Sequence, residues 1–115
     1  MATITNVNMS GFGSRTLTAT TLSASDNFEY VQGKNQTLVI ENGTGTAITP
    51  NIVGDAATTV SVRGVGTVDV SAGYDVPSIP DGEAVAIPLD SIYRYLDGDI
   101  TMTGADGATA YLFYY

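Results

Sequence analysis

Any catalytic chemistry in this chain would have to come from carboxylates, because its 115 residues include no histidine and no cysteine. That excludes Ser-His-Asp and Cys-His arrangements, thiolate nucleophiles, disulfides, and metals held by imidazole or sulfur. A glycosidase-like pair needs two carboxyl groups a few ångströms apart, one kept protonated by an apolar pocket. Asp55, Asp75, Asp81, Asp97 and Asp106 instead sit in glycine-containing turn contexts. No catalytic residue is assigned, and the chain reads as a non-enzyme. "LDGDITMTGADG" groups Asp97, Asp99 and Asp106, whose oxygens suit a hard cation such as Ca²⁺. Their spacing is not that of an EF-hand loop, so they read as turn residues and no metal or cofactor is assigned. "RGVG" and "NGTG" are glycine-rich, but phosphate cradles open a helix, whereas these segments lie between strands and read as hairpin loops.

The aromatic residues carry more information. In the C-terminal "AYLFYY", Tyr111, Phe113 and Tyr115 point to one side and Leu112 and Tyr114 to the other, so neither face is polar. Two readings fit: a central strand buried on one face with tyrosine hydroxyls reaching water on the other, or an aromatic contact patch for another subunit. Tyr93 and Tyr95 flank Arg94 and pose the same question. Arg94 pairs either with a partner's carboxylate or, as an exposed ion pair, with Asp90 or Asp97. Arg94, Tyr95, Tyr111, Phe113 and Tyr115 are the candidate partner-binding residues.

Period-2 alternation of Thr and Val dominates the elements that must position these residues, so strands are expected throughout. "RTLTATTL" and "DNFEYV" nominate Leu17, Phe28 and Tyr30 for the core. "TLVIENGTGTAITPNIVG" reads as a hairpin, with Pro50 on an edge or bulged strand because it has no amide to donate. "TTVSVRGVGTVDVSAG" reads as a second hairpin. "EAVAIPL" places Val85, Ile87 and Leu89 on one side, and "DITMTG" buries Ile100 and Met102. "SAGYDVPSIPDGE" reads as a loop across one end. Turn residues recur at a spacing that favours an antiparallel β-sandwich, jelly-roll or Greek-key-like, of about eight or nine short strands.

One segment departs from this pattern. In "IPLDSIYRYLDGDI" Asp90 can cap the amides of Ile92 and Tyr93, and Gly98 can take the left-handed conformation that ends a helix. Leu89, Ile92, Tyr93 and Leu96 then share a helical face, predicting a short helical turn over residues 90–97 that plugs one end of the sandwich.

Length allows a single domain over residues 1–115, with 1–14, rich in small polar residues, a candidate extended N-terminal arm. Twelve acidic residues against four basic ones give a net charge of −8, which disfavours nucleic acid and anionic membranes. Arg15, Lys34, Arg63 and Arg94 are scattered and form no linear basic patch. No signal peptide or membrane-length apolar run is read, so synthesis in a cytoplasm without export is expected. "NQT" at Asn35 and "NGT" at Asn42 therefore read as turns and not glycosylation sites.

From "GVGTVDVSAGYDVPSIPDGEAVAIPLDSIYRYLDGDITMTGADGATAYLFYY", with a weaker match in "NGTGTAITPNI", the chain resembles small tailed-bacteriophage capsid decoration (cement) proteins. The features are the "TVDVSAG" strand, the "IPLDSI" turn with its following "YL" and "G", and a small-residue strand ending the chain. The resemblance implies a compact β-sandwich that binds the outer surface of a mature capsid and bridges neighbouring major capsid proteins. It further implies homo-oligomers on the capsid, no catalytic residues, and a virion location after synthesis in the host cytoplasm. Two alternatives stand beside it. One is another virion part, a head-tail joining or tail-tube component. The other is a carbohydrate-binding β-sandwich module using Tyr74, Tyr111 and Tyr115 as a stacking platform.

Overall fold

The computed structural model describes residues 2–9, 13–14 and 16–114. Twelve strands lie among the described residues: β1 (Ala2–Thr3), β2 (Asn6–Asn8), β3 (Thr20–Thr21), β4 (Ser25–Phe28), β5 (Thr37–Glu41), β6 (Asn51–Gly54), β7 (Thr59–Val62), β8 (Gly66–Asp69), β9 (Tyr74–Asp75), β10 (Ala84–Pro88), β11 (Ile100–Thr103) and β12 (Thr109–Tyr114). A 3-10 helix, Leu89–Tyr95, joins β10 to β11. Sheet I runs β1-β4-β11-β6-β9, and sheet II runs β10-β5-β12-β2 with β3 also on β12. The chain is an all-β sandwich, as its alternation predicts.

The core follows from strand registers. In sheet II, Leu38 and Leu112 lie opposite one another, as do Ile40 and Ala110, and all four are fully buried. In sheet I, Ile52 and Met102 pair and are fully buried, with Phe28 and Ile100 beside them. Each buried aliphatic side chain of this size is worth about 1.5–3 kcal/mol of transfer free energy. Ile87 and Leu89 join them from β10 and the helix as expected, with Val85 half-buried.

Several expectations change. Strands β5 and β6 are not a hairpin: β5 pairs with β10 and β12, β6 with β9 and β11, so residues 42–50 carry the chain from one sheet to the other. Asn42 fixes that crossing and is fully buried. Its amide donates to the carbonyls of Thr46 at 2.7 Å and Ile79 at 2.8 Å, and its oxygen accepts from the amide and hydroxyl of Thr44. The side chain thereby uses its full hydrogen-bonding capacity. Pro50 is buried immediately before β6, where its missing donor costs no ladder bond.

Residues 2–3 and 6–8 of the expected arm are strand. Ala2–Thr3 runs parallel to β4, and Asn6–Asn8 runs parallel to β12, so the segment threads both sheets and the sandwich is not purely antiparallel. Residues 10–12 of that arm fall outside the described ones. Leu17 is exposed at 37% because strand structure resumes only at Thr20, and Leu22, at 2%, takes its place inside. The loop expected after Ser71 contains β9, and Val76 and Ile79 are buried within it. The β7–β8 hairpin is present as predicted, as a two-stranded sheet of its own.

The plug forms with a different period. A 3-10 helix has three residues per turn, so Leu89, Ile92 and Tyr95 align instead of Leu89, Ile92, Tyr93 and Leu96. Tyr95 accordingly turns inward against Tyr74, with ring centroids 5.8 Å apart, while Tyr93 is 42% exposed. Non-helical backbone at Ile92 (φ −120°) breaks the helix in its middle, and Leu96 is buried just beyond its end. Asp90 does not cap the helix. Pro88 occupies that position without a side-chain bond, and Asp90 bonds Tyr30 and Gly33. Gly98 has positive φ as predicted.

Candidate interaction surface

The two sheets present opposite chemistries to their surroundings. Paired residues of neighbouring strands share a face, so the outer rows can be read from the registers. On sheet I one row is Thr3, Asn27, Thr101 and Val53, and the next is Ser25, Thr103, Asn51 and Asp75. Val53 is the one apolar residue among these eight. On sheet II the central row is Ala86, Val39 and Tyr111, and the row toward the helix is Pro88, Thr37, Phe113 and Val7. A third row, Ala84, Glu41, Thr109 and Thr21, lies at the far end. Glu41 is the one charged residue in the three rows.

This apolar face arises because the outward positions of β12 after Thr109 are aromatic. Ala110 and Leu112 are buried inward, which forces Tyr111 and Phe113 outward, where they remain half-buried. The strand is central, with β5 and β2 on its two sides, and its outer face is aromatic. Val39, Ala86, Pro88 and Val7 complete the patch and were not foreseen. For Val39, Ala86 and Pro88 the alternation of β5 and β10 held part of the signal, since Leu38, Ile40, Val85 and Ile87 face the core and leave them on the far side.

The remaining sequence candidates lie elsewhere. Arg94 is exposed on the 3-10 helix, with its guanidinium carbon 5.5 Å from the centroid of the Tyr93 ring and its Nε donating to the Tyr93 hydroxyl at 3.1 Å. It pairs with neither Asp90 nor Asp97. The exposed aromatic beside Arg94 is thus Tyr93, whereas Tyr95 is packed against the core. Tyr115 lies outside the described residues. Tyr74 faces inward opposite Ile52, on the other sheet from outward-facing Tyr111, so the sugar-stacking platform is not assembled.

Carboxylates serve as turn ties. Asp55 Oδ1 accepts the Asp99 amide at 2.9 Å, and Asp81 Oδ1 accepts the Gly45 amide at 2.9 Å. Buried Asp26 accepts both the amide and the hydroxyl of Ser23. Among the described residues no three acidic side chains gather to hold a metal ion. A shallow groove of about 400 Å³ runs past Asn27, Phe28, Asp55 and Asp99 on the sheet I side, where the nearby carboxylate of Asp55 is already bonded to backbone.

No known protein family, curated protein or solved structure matches this chain.

Proposed function

We propose that this chain is a structural virion protein of the capsid decoration type, acting through protein contacts and not through chemistry. One observation carries the reading: sheet II turns an aromatic, nearly uncharged face outward, while sheet I turns out a face of Thr, Asn, Ser and Asp. A sandwich that needs only water around it would alternate inward apolar with outward polar residues on both sheets. An apolar outer face on one sheet alone is the make of a contact surface. Arg94, displayed with Tyr93 at the plugged end, adds a cation that a shell protein's carboxylate would meet.

On this reading, many modest contacts repeated over a symmetric shell supply the stabilisation through avidity. The test is direct. Capsids stripped of the protein are mixed with the purified chain and sedimented. Saturable co-sedimentation in fixed ratio to the shell protein is expected, and absence of binding would sink the proposal. Binding confined to a head-tail ring or a tail tube would reassign the chain to another virion part.

A further inference from the structure

The β7–β8 hairpin stands apart from both sheets. Isolated two-stranded hairpins are marginal in water, and this one is anchored at its base, where Val70 is buried and its amide bonds the Thr58 carbonyl at 2.8 Å. From Arg63 to Thr67 every residue is exposed. Val65, at the tip, is 73% exposed, the most of any large hydrophobic among the described residues. Gly64 and Gly66 flank it with positive φ and open space around them. Asp69 turns its carboxylate to the amide and hydroxyl of Ser71 at the base, leaving Arg63 as the charge near the tip.

The tip therefore offers one apolar side chain and one cation, two residues apart. The outer face of sheet II offers the complement, an apolar residue and an anion. Val39 and Glu41 are two residues apart on one face of β5, about 6.7 Å along the strand, with Tyr111 beside Val39. We infer that the hairpin tip of one copy docks on the outer face of sheet II of a second copy, with Val65 against Val39 and Tyr111 and Arg63 paired with Glu41. The inference rests on reading that face as a protein contact surface and names its partner. Copies carrying −8 each repel over distance, but salt screens this beyond about 8 Å, and the contact itself joins opposite charges. Tip and face are different surfaces, so each contact pairs unlike patches. It builds rings or chains, or a closed dimer where two copies exchange tips reciprocally. The plugged end with Arg94 stays free for the shell.

Sedimentation velocity on the full chain at rising concentration tests this. The wild type should associate, while Val65→Asp (tip lost) and Tyr111→Lys (face lost) should each sediment as monomers. Their mixture should form a one-to-one complex, because one intact tip then meets one intact face. Arg63→Glu should weaken association about two- to five-fold, and mixing it with Glu41→Lys should restore it. Thermal melts check folding, and exposed Glu41→Lys serves as the face variant if Tyr111→Lys fails to fold. A wild type that stays monomeric at concentrations that saturate shells overturns the inference. So does an assembly indifferent to Val65→Asp, or a mixture that forms no complex. If the wild type is monomeric yet Tyr111→Lys abolishes shell binding, the face is a contact surface with another occupant. If Tyr111→Lys changes neither association nor shell binding, the contact-surface reading fails as well.

Discussion

The hydroxyl of Tyr30 donates to Oδ1 of Asp90 at 2.6 Å, across 60 residues of sequence. The same oxygen accepts the Gly33 amide at 3.2 Å, so one carboxylate ties the 3-10 helix to the turn that follows β4. The Tyr30 bond holds the Asp90 carboxyl below its usual range. Burial, and then the Asp90 carboxylate, pushes the Tyr30 hydroxyl up.

Tyr30→Phe removes this bond and should cost about 1 kcal/mol near neutral pH, the value for a charge-assisted bond reduced by solvent screening. For a domain of this size that lowers the melting temperature by roughly 4 °C. The pH dependence has a fixed sign. Because the folded-state value of Asp90 is depressed, its contribution is complete above the unfolded value of about 3.9 and is lost as pH falls through the lower folded value. The raised value of Tyr30 works at the other end: its contribution is present below about pH 10 and is lost as pH rises further. Melting curves of wild type and Tyr30→Phe should therefore converge in acid. A gap that persists at full size there would mean the carboxylate charge contributes nothing.

Asn42→Ala should be among the most damaging substitutions that leave the core aliphatics untouched. It empties a fully buried site whose amide serves two carbonyls and whose oxygen serves Thr44 twice. A loss of about 3 kcal/mol is expected, since buried carbonyls are left without their donors. Urea unfolding would show it as a lower midpoint at unchanged slope.

The same residue shows where sequence reading stops. The all-β class, the β7–β8 hairpin and the inward positions of β10 and β11 were legible because period-2 alternation depends only on neighbours a few residues away. Strand partners are not encoded that way. "NGTG" after β5 has the residues of a hairpin turn, yet Asn42 bonds Ile79, 37 residues on, and the chain crosses between sheets. The two-residue strands β1, β3 and β9 are too short to leave an alternation signal, so the threaded N-terminal segment read as an arm. Tyr93 and Tyr95 exchanged roles because a helical period of 3.6 was assumed where the chain winds at three per turn. Tyr111 and Phe113 were legible as a patch. Val7, Val39, Ala86 and Pro88 joined them only once registers were known, because the face is assembled from four separate strands.

Gly54 marks where the plug lies against sheet I. Its φ is ordinary, but a Cβ there would stand 2.3 Å from the backbone oxygen of Asp97 and 2.5 Å from its nitrogen. Backbone cannot step aside as a side-chain tip can, so Gly54→Ala should cost about 3 kcal/mol or more. Gly64→Ala, at the hairpin tip, offers the contrast: positive φ with open space should cost about 1 kcal/mol. Thermal melts of the pair would check the order. Equal losses would show that the segment after the helix is not held against β6.

Arg94→Ala separates plugging from docking at the same end of the molecule. The side chain is exposed and its hydrogen bond goes to Tyr93, so stability should change by no more than about 0.5 kcal/mol. Plugging belongs to Leu89, Ile92, Tyr95 and Leu96, which the substitution leaves in place. Binding to stripped capsids should nevertheless weaken, and its salt dependence should flatten, because a displayed cation acts mainly on encounter and screens with salt. Leu96→Ala should do the reverse, lowering the melting temperature while leaving the salt slope unchanged. If Arg94→Ala co-sediments like the wild type at both low and moderate salt, the helix is a plug alone, and shell contact must come from another part of the surface.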